Sequence, residues 1–200
     1  MLICGVLGGV VYVVTDLLAS SLYPGYSFAG QAVSELFAIG APTSRIVVPF
    51  FSLSSVLIAA FGLGLWSSPG ASRAMRAMGL MMIANAADAL ALWNLFPMHM
   101  RGSARTFTDT MHIILSVDPF VLLSLAFAIA AFEKGLRTYT IVTVLTSLLP
   151  AIAAFSYVPA LEANDPTPRL GLLERFAQYA YMAWMAVVAV TLLRKPGALK

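Results

Sequence analysis

The sequence predicts an all-α protein: an integral membrane six-helix bundle with a short amphipathic helix in its first extracytoplasmic loop. Three observations predict it. Hydrophobic residues make up 60% of the 200-residue chain and charged residues 10%, too little polar surface for a soluble domain to present to water. The apolar residues collect into six runs, at about 2–22, 43–66, 74–96, 107–132, 138–157 and 171–193, each near the roughly 20 residues a helix needs to cross a bilayer. The twelve Lys and Arg are scattered over the short connectors and the tail, which suits membrane sidedness and leaves no basic tract for nucleic acid. No linker or repeat divides the chain, so residues 1–200 are expected to form a single transmembrane domain.

The first run lacks a basic leader and carries Asp16, so it is expected to be a retained span, not a cleaved signal peptide. Tyr12, Asp16 and Ser20 recur at helical spacing, and Tyr23 extends their face, giving a polar stripe that rises toward the following connector. Gly5 and Gly9 are spaced for close helix contact. Cys4 is the single cysteine, which excludes an intramolecular disulfide and points to simple packing.

The connector at 22–42 is too rich for a plain loop. Its "YPGY" reads as a turn, with Pro24 presetting one backbone angle and Gly25 free to take a positive one. From about 29 to 38 the pattern is amphipathic, with Val33, Leu36 and Phe37 on one face and Gln31, Ser34 and Glu35 on the other. The polar face is expected to close over a pocket that Asp16 and His112 line from below. The competing reading makes Tyr23 and Tyr26 interface anchors and leaves Glu35 in water.

In the third run Asn85 and Asp88 share a face, and "FPMHMRGSARTF" then brings His99 and Arg101 above the fourth. Asp109, His112 and Ser116 share a face in the fourth run, whose "SVDPF" reads as a helix restart: Asp118 caps and Pro119 takes the first helical position. Pro150 predicts a kink in the fifth run, with the Thr146 hydroxyl available to the freed carbonyl. "RLGLLER" brings Arg169, Glu174 and Arg175 to the mouth of the sixth, where Glu174, Gln178 and Tyr181 continue inward. Opposite charges there are expected to pair.

Sidedness follows from Lys and Arg alone. Arg73, Arg76, Lys134, Arg137, Arg194, Lys195 and Lys200 lie on one side, against Arg45, Arg101, Arg105, Arg169 and Arg175 on the other. The bias puts both termini in the cytoplasm of a multi-pass cell-membrane protein, with the connectors at 22–42, 97–106 and 158–170 outside. Asp16, Asn85, Asp88, His112, Ser116 and Asp118 then all fall toward the outer leaflet. An ionisable side chain in hydrocarbon costs at least about 2.5 kcal/mol, so such groups turn toward partners or water. A shared outward-facing polar pocket accounts for all of them.

Three functions fit such a pocket. In a membrane-embedded enzyme acting on a lipid-like, isoprenoid or acyl-chain substrate, Asp16, Glu35 and Asp88 would serve as general acids and His112 as base or orienting group. Tyr12, Tyr23, Tyr26, Ser34, Asn85, Trp93, Arg101, Glu174 and Arg175 would bind the substrate, and the chemistry would be acid-initiated rearrangement or metal-assisted hydrolysis. A transporter or binding protein for a small amphiphile or a proton would use the same acids, although no inverted repeat is visible. A non-catalytic accessory subunit would satisfy them internally and leave no cavity.

The segment "YPGYS…SELFAIGAP", the "LFP" closing the third run, a histidine early in the fourth and "GLLERFAQYAYMAW" opening the last resemble the domain of unknown function 998 family of small prokaryotic membrane proteins. The resemblance covers almost the whole chain and highlights Tyr23, Pro24, Gly25, Tyr26, Ser27, Ser34, Glu35, His112, Gly171 and Arg175. It implies a fold and no activity. Members of that family often look more acidic after "FP" than the "MHMRG" found here, so no role passes to His99. The order of Asp, Tyr, Ser and Glu around the first connector is also loosely similar to the alkaline ceramidase superfamily of zinc-dependent membrane hydrolases. The histidine pair of that superfamily is missing: His99 and His112 are the two histidines in the chain. A catalytic zinc takes three protein ligands, and His99, His112 and Asp16 are the set that would supply them.

Overall fold

The computed structural model describes residues 1–194. Its elements are α1 (Cys4–Leu22), a short 3-10 helix (Val33–Phe37), α2 (Ser44–Ser67), α3 (Arg73–Leu95), α4 (Phe107–Ser116), α5 (Pro119–Ala131), α6 (Lys134–Phe155), α7 (Val158–Glu162) and α8 (Leu170–Leu193). Taking α4 and α5 together, six helical segments are long and apolar enough to cross a membrane, and the chain is a multi-pass membrane protein. The extended backbone among the described residues is one isolated parallel bridge between Ile39 and His99. Lys195 and Lys200, which entered the reading of sidedness, lie outside the described residues.

The spans follow one another around a closed ring. α1 packs on α2, α2 on α3, α3 on α5, α5 on α6, α6 on α8, and α8 returns to α1. At the end holding residues 68–72 and 132–133 the middle of the ring is filled by Phe61, Leu65, Met78, Met82, Trp184, Met185 and Val188, all fully buried. Polar ends inside this core are satisfied between helices, as a medium without water requires: the Trp184 indole donates to Thr140 Oγ1 at 2.9 Å, and Tyr181 and Ser124 share a hydrogen bond of 3.0 Å. The other end carries the connectors at 23–43, 96–106 and 156–169, which fold together into a cap.

The fourth span is two helices, as the Asp118–Pro119 reading implied: Asp118 accepts from the Phe120 amide at 2.8 Å as the cap of α5, and α4 packs chiefly on α3. Two features depart from the sequence reading. The first connector holds a five-residue 3-10 turn in place of an amphipathic helix from 29 to 38, and Glu35 is buried beside Val33, Leu36 and Phe37. An extra helix, α7, begins at Val158, just after α6. α6 continues through Pro150, and the Thr146 hydroxyl donates back to the Val142 carbonyl at 3.0 Å.

The tightest helix crossing is α2 on α3, where a Cβ placed on Gly62 would come within 2.6 Å of the Gly79 carbonyl oxygen, and one on Gly79 would collide with that of Gly62. Gly79→Val should therefore push the two helices apart and lower stability by about 1–3 kcal/mol. Gly135→Ala, whose Cβ meets nothing, is the control. Thermal unfolding in detergent measures both, and equal melting of the two variants would contradict the close packing.

Candidate functional site

The cap is held down by Arg175, which α8 delivers to the capped end of the ring. Its Nε and Nη2 reach the two carboxylate oxygens of Asp16 on α1 at 2.9 and 2.8 Å. Both residues are out of solvent, at 2% and 0% exposure, so the pair has to be completed by further hydrogen bonds. Nη1 donates to the Phe28 carbonyl at 2.8 Å and Nη2 to the Tyr26 hydroxyl at 2.8 Å. Tyr179 and Ser20 donate to the Asp16 carboxylate. The guanidinium also lies over the Phe28 ring, 3.9 Å from its centre. Burial raises the Tyr26 hydroxyl above the ordinary phenol range, so it stays protonated and donates onward to the Ala32 carbonyl at 2.8 Å. A Cβ on Gly171 would strike the carbonyls of Gln31 and Phe28: the connector lies directly on the first turn of α8.

A second ion pair ties the three connectors together. Arg101 binds Glu35 through Nη2 at 2.8 Å and Nε at 3.3 Å, and it donates to Thr167 Oγ1 and to the Asp165 carbonyl. Thr167 in turn donates to the Gly30 carbonyl at 2.6 Å. The Ile39 amide donates to the Met98 carbonyl at 2.8 Å, and His99 is held through its backbone amide and ring by Asp109. Arg105 pairs with Glu162 of α7 at 2.5 Å.

Beneath this cap lies a cavity of about 520 Å³, a size that holds a small ligand or part of a lipid. Its walls take residues from every helix, α1 to α8, and the break between α4 and α5 lies on it through Val117 and Asp118. α4 makes no substantial contact with α6 or α8. The wall on that side runs out to the bundle surface: the lining residues Val117 and Ile152 are 60% and 59% exposed.

Several polar groups in the wall are free among the described residues. His112, only 5% exposed, directs Nδ1 to the Phe96 carbonyl at 2.7 Å. A carbonyl only accepts, so Nδ1 carries the proton and neutral imidazole keeps its lone pair on Nε2. Nε2 has no hydrogen-bond partner, and no unpartnered polar side-chain atom is sealed off; Nε2 is therefore reached from the cavity. The Asp88 carboxylate also makes no hydrogen bond, while Glu174 uses one oxygen to accept from the Val33 amide at 2.7 Å and leaves the other open. Asn85 donates to Asp118.

The structure thus divides the expected site residues. Tyr12, Ser34, Asn85, Asp88, Trp93, His99, Arg101, His112 and Glu174 line the cavity. Asp16, Tyr23, Tyr26, Glu35 and Arg175 do not; each is bound within the cap or against it, Tyr23 by donating to Met100 Sδ at 3.7 Å and stacking on Tyr26. The picture of Asp16 and His112 side by side beneath a polar roof is corrected accordingly: Asp16 faces Arg175 because a buried carboxylate needs a cation. The zinc set His99, His112 and Asp16 is not assembled, and no three His, Cys, Asp or Glu among the described residues group so as to hold a metal ion. Sequence reading missed Tyr179, Phe28 and Thr167. Tyr179 was within reach of it, since Gly171, Arg175 and Tyr179 repeat at four-residue spacing on one face of α8.

Breaking the clamp by Asp16→Asn or Arg175→Met leaves a buried charge without its partner and should cost about 3–5 kcal/mol. Removing both charges, in Asp16→Asn with Arg175→Met, should cost less than the sum. Thermal unfolding together with proteolysis at residues 23–32 reads the effect. Single variants that melt and resist protease like the parent would show that the pair does not hold the cap.

No curated protein and no solved structure matches the chain. The family model described as "Protein of unknown function (DUF998)" matches residues 6–191, nearly the whole sequence, as the motifs of the first connector and last span implied. The chain belongs to the DUF998 family.

Proposed function

We propose that this protein is a membrane-embedded enzyme that admits a lipid-like amphiphile, with an isoprenoid or acyl chain, between α4 and α6 and acts on it by acid–base chemistry. The observation that carries this reading is the free Nε2 of His112 in the wall of a cavity that reaches the surface of the bundle. The Phe96 carbonyl fixes the ring and its tautomer, so Nε2 is the atom that takes a proton from the substrate or from a water. Asp88 and Glu174 are the carboxyls that face the same bound molecule. Tyr12, Ser34, Asn85 and Trp93 contact the bound molecule, whereas Asp16, Glu35, Arg101 and Arg175 act through the cap as positioning residues. A carrier or binding protein is the second reading, favoured by the broken fourth span on the cavity wall, a feature of transport sites.

His112→Gln keeps a donor for the Phe96 carbonyl and removes the base. Incubated with a total lipid extract of the host membrane and followed by mass spectrometry, the parent protein should bind a lipid and convert it. The variant should still bind that lipid and convert it about 10²–10⁴-fold more slowly. Binding by both proteins without any conversion would overturn the enzyme and leave the carrier.

The capped end is further proposed to face away from the cytoplasm of a cell membrane, with both termini inside. The support is the basic cluster Arg73, Arg76, Lys134, Arg137 and Arg194 at the opposite end. In a Cys4→Ser background, a membrane-impermeant maleimide added to intact cells should label Ser103→Cys and spare Glu133→Cys. The reverse pattern would invert the topology.

A further inference from the structure

The charges around the cavity say what kind of head group it accepts, given the amphiphile-binding reading above, on which this step rests. Both guanidiniums in the wall are already committed, Arg101 to Glu35 and Arg105 to Glu162. The His99 ring is held by Asp109. An anionic head group would find no free cation among the described residues that line the cavity. The carboxylates are in the opposite condition. Asp88, Asp118 and Glu174 all line the cavity and none of them belongs to an ion pair among the described residues. Asp118 is engaged by two neutral donors, the Phe120 amide and Asn85; Glu174 is engaged at one oxygen; Asp88 makes no hydrogen bond. An ionised carboxylate in an apolar setting needs a cation beside it, and the protein supplies none here.

We propose that the cavity takes an amphiphile with a cationic, amine-type head: the ammonium lies against the open Asp88 carboxylate, with Asp118 and Glu174 adding negative charge from the same cavity wall, and the chain leaves between α4 and α6. The ligand then brings the charge that the wall lacks. Two further features of the wall agree. The rings of Tyr12 and Trp93 are surfaces of the kind that attract alkylammonium groups. The Nε2 of His112, reached from the cavity, is an acceptor, suited to an N–H or O–H on the head and unsuited to a carboxylate or phosphate oxygen.

Trp93 provides a readout from inside the site, once the lipid-facing Trp66 is replaced. In a Trp66→Phe protein held in phosphatidylcholine nanodiscs, with the fully buried Trp184 as unquenched background, three probes sharing a 6-bromoundecyl chain are compared: the primary ammonium, the alcohol and the carboxylate. The bromine quenches tryptophan on contact. The ammonium probe should quench saturably at a concentration about ten-fold or more below the other two, as expected for a charge-assisted contact. Asp88→Asn, which breaks no hydrogen bond, should weaken that preference, and Asp88→Asn with Glu174→Gln should abolish it. Tighter binding of the carboxylate or the alcohol, or an ammonium preference that survives in the double variant, overturns the cationic head while the amphiphile site stands. Failure of all three probes to saturate overturns both.

Discussion

The architecture depends on a single buried ion pair. Arg175 and Asp16 have no exposed surface to speak of, and two ions taken out of water are costly unless every remaining donor and acceptor finds a partner. That demand builds the cap. The guanidinium meets it with the Phe28 carbonyl, Ser20 and the Tyr26 hydroxyl, and the carboxylate meets it with Tyr179. Each of these fixes another piece of chain. A connector of some twenty residues is thereby fastened across the first and last spans, the two that close the ring.

Once the connector is fixed, the rest of the cap has little freedom. Glu35 is carried inward with the 3-10 turn and becomes a buried carboxylate in its own right, which Arg101 of the next connector neutralises. Arg101 and Thr167 then reach the third connector. The result is a rigid roof over a ring whose middle is packed at one end only. The cavity is what remains between that roof and the aromatic and methionine core, and it persists because α4, detached from α5 by the Asp118 break, follows α3 and leaves α6 uncovered.

Much of this was legible in the sequence, for identifiable reasons. The spans are set by apolar length against bilayer thickness, so six of them could be drawn to within a few residues; the Asp-Pro pair marked the fourth-span break because capping chemistry is local. The first connector was marked as special by its tyrosines, glutamate and turn. Its mechanism was not legible. Whether Asp16 faces a cavity or an arginine depends on a partner 159 positions away, and helical periodicity gives the face of a residue without naming what stands opposite. The same holds for Glu35, assigned to a polar face because Gln31 and Ser34 are polar, yet buried because Arg101 comes to it.

The distinction that matters for function is between polar groups that are satisfied and polar groups that are left open. In a membrane interior an unsatisfied group is expensive, so the default expectation is that every acid is paired. Here the pairing is thorough in the cap and stops at the cavity wall, where Asp88, one oxygen of Glu174 and the His112 Nε2 are left without protein partners among the described residues. A chain needing these residues only for stability would do better with alanine or leucine at position 88, since nothing there rewards a carboxylate. Retaining open acids and an open imidazole on a cavity that reaches the surface of the bundle gives up stability in the empty protein. A ligand that completes those bonds recovers that stability, and its affinity is then measured against what the empty cavity forgoes.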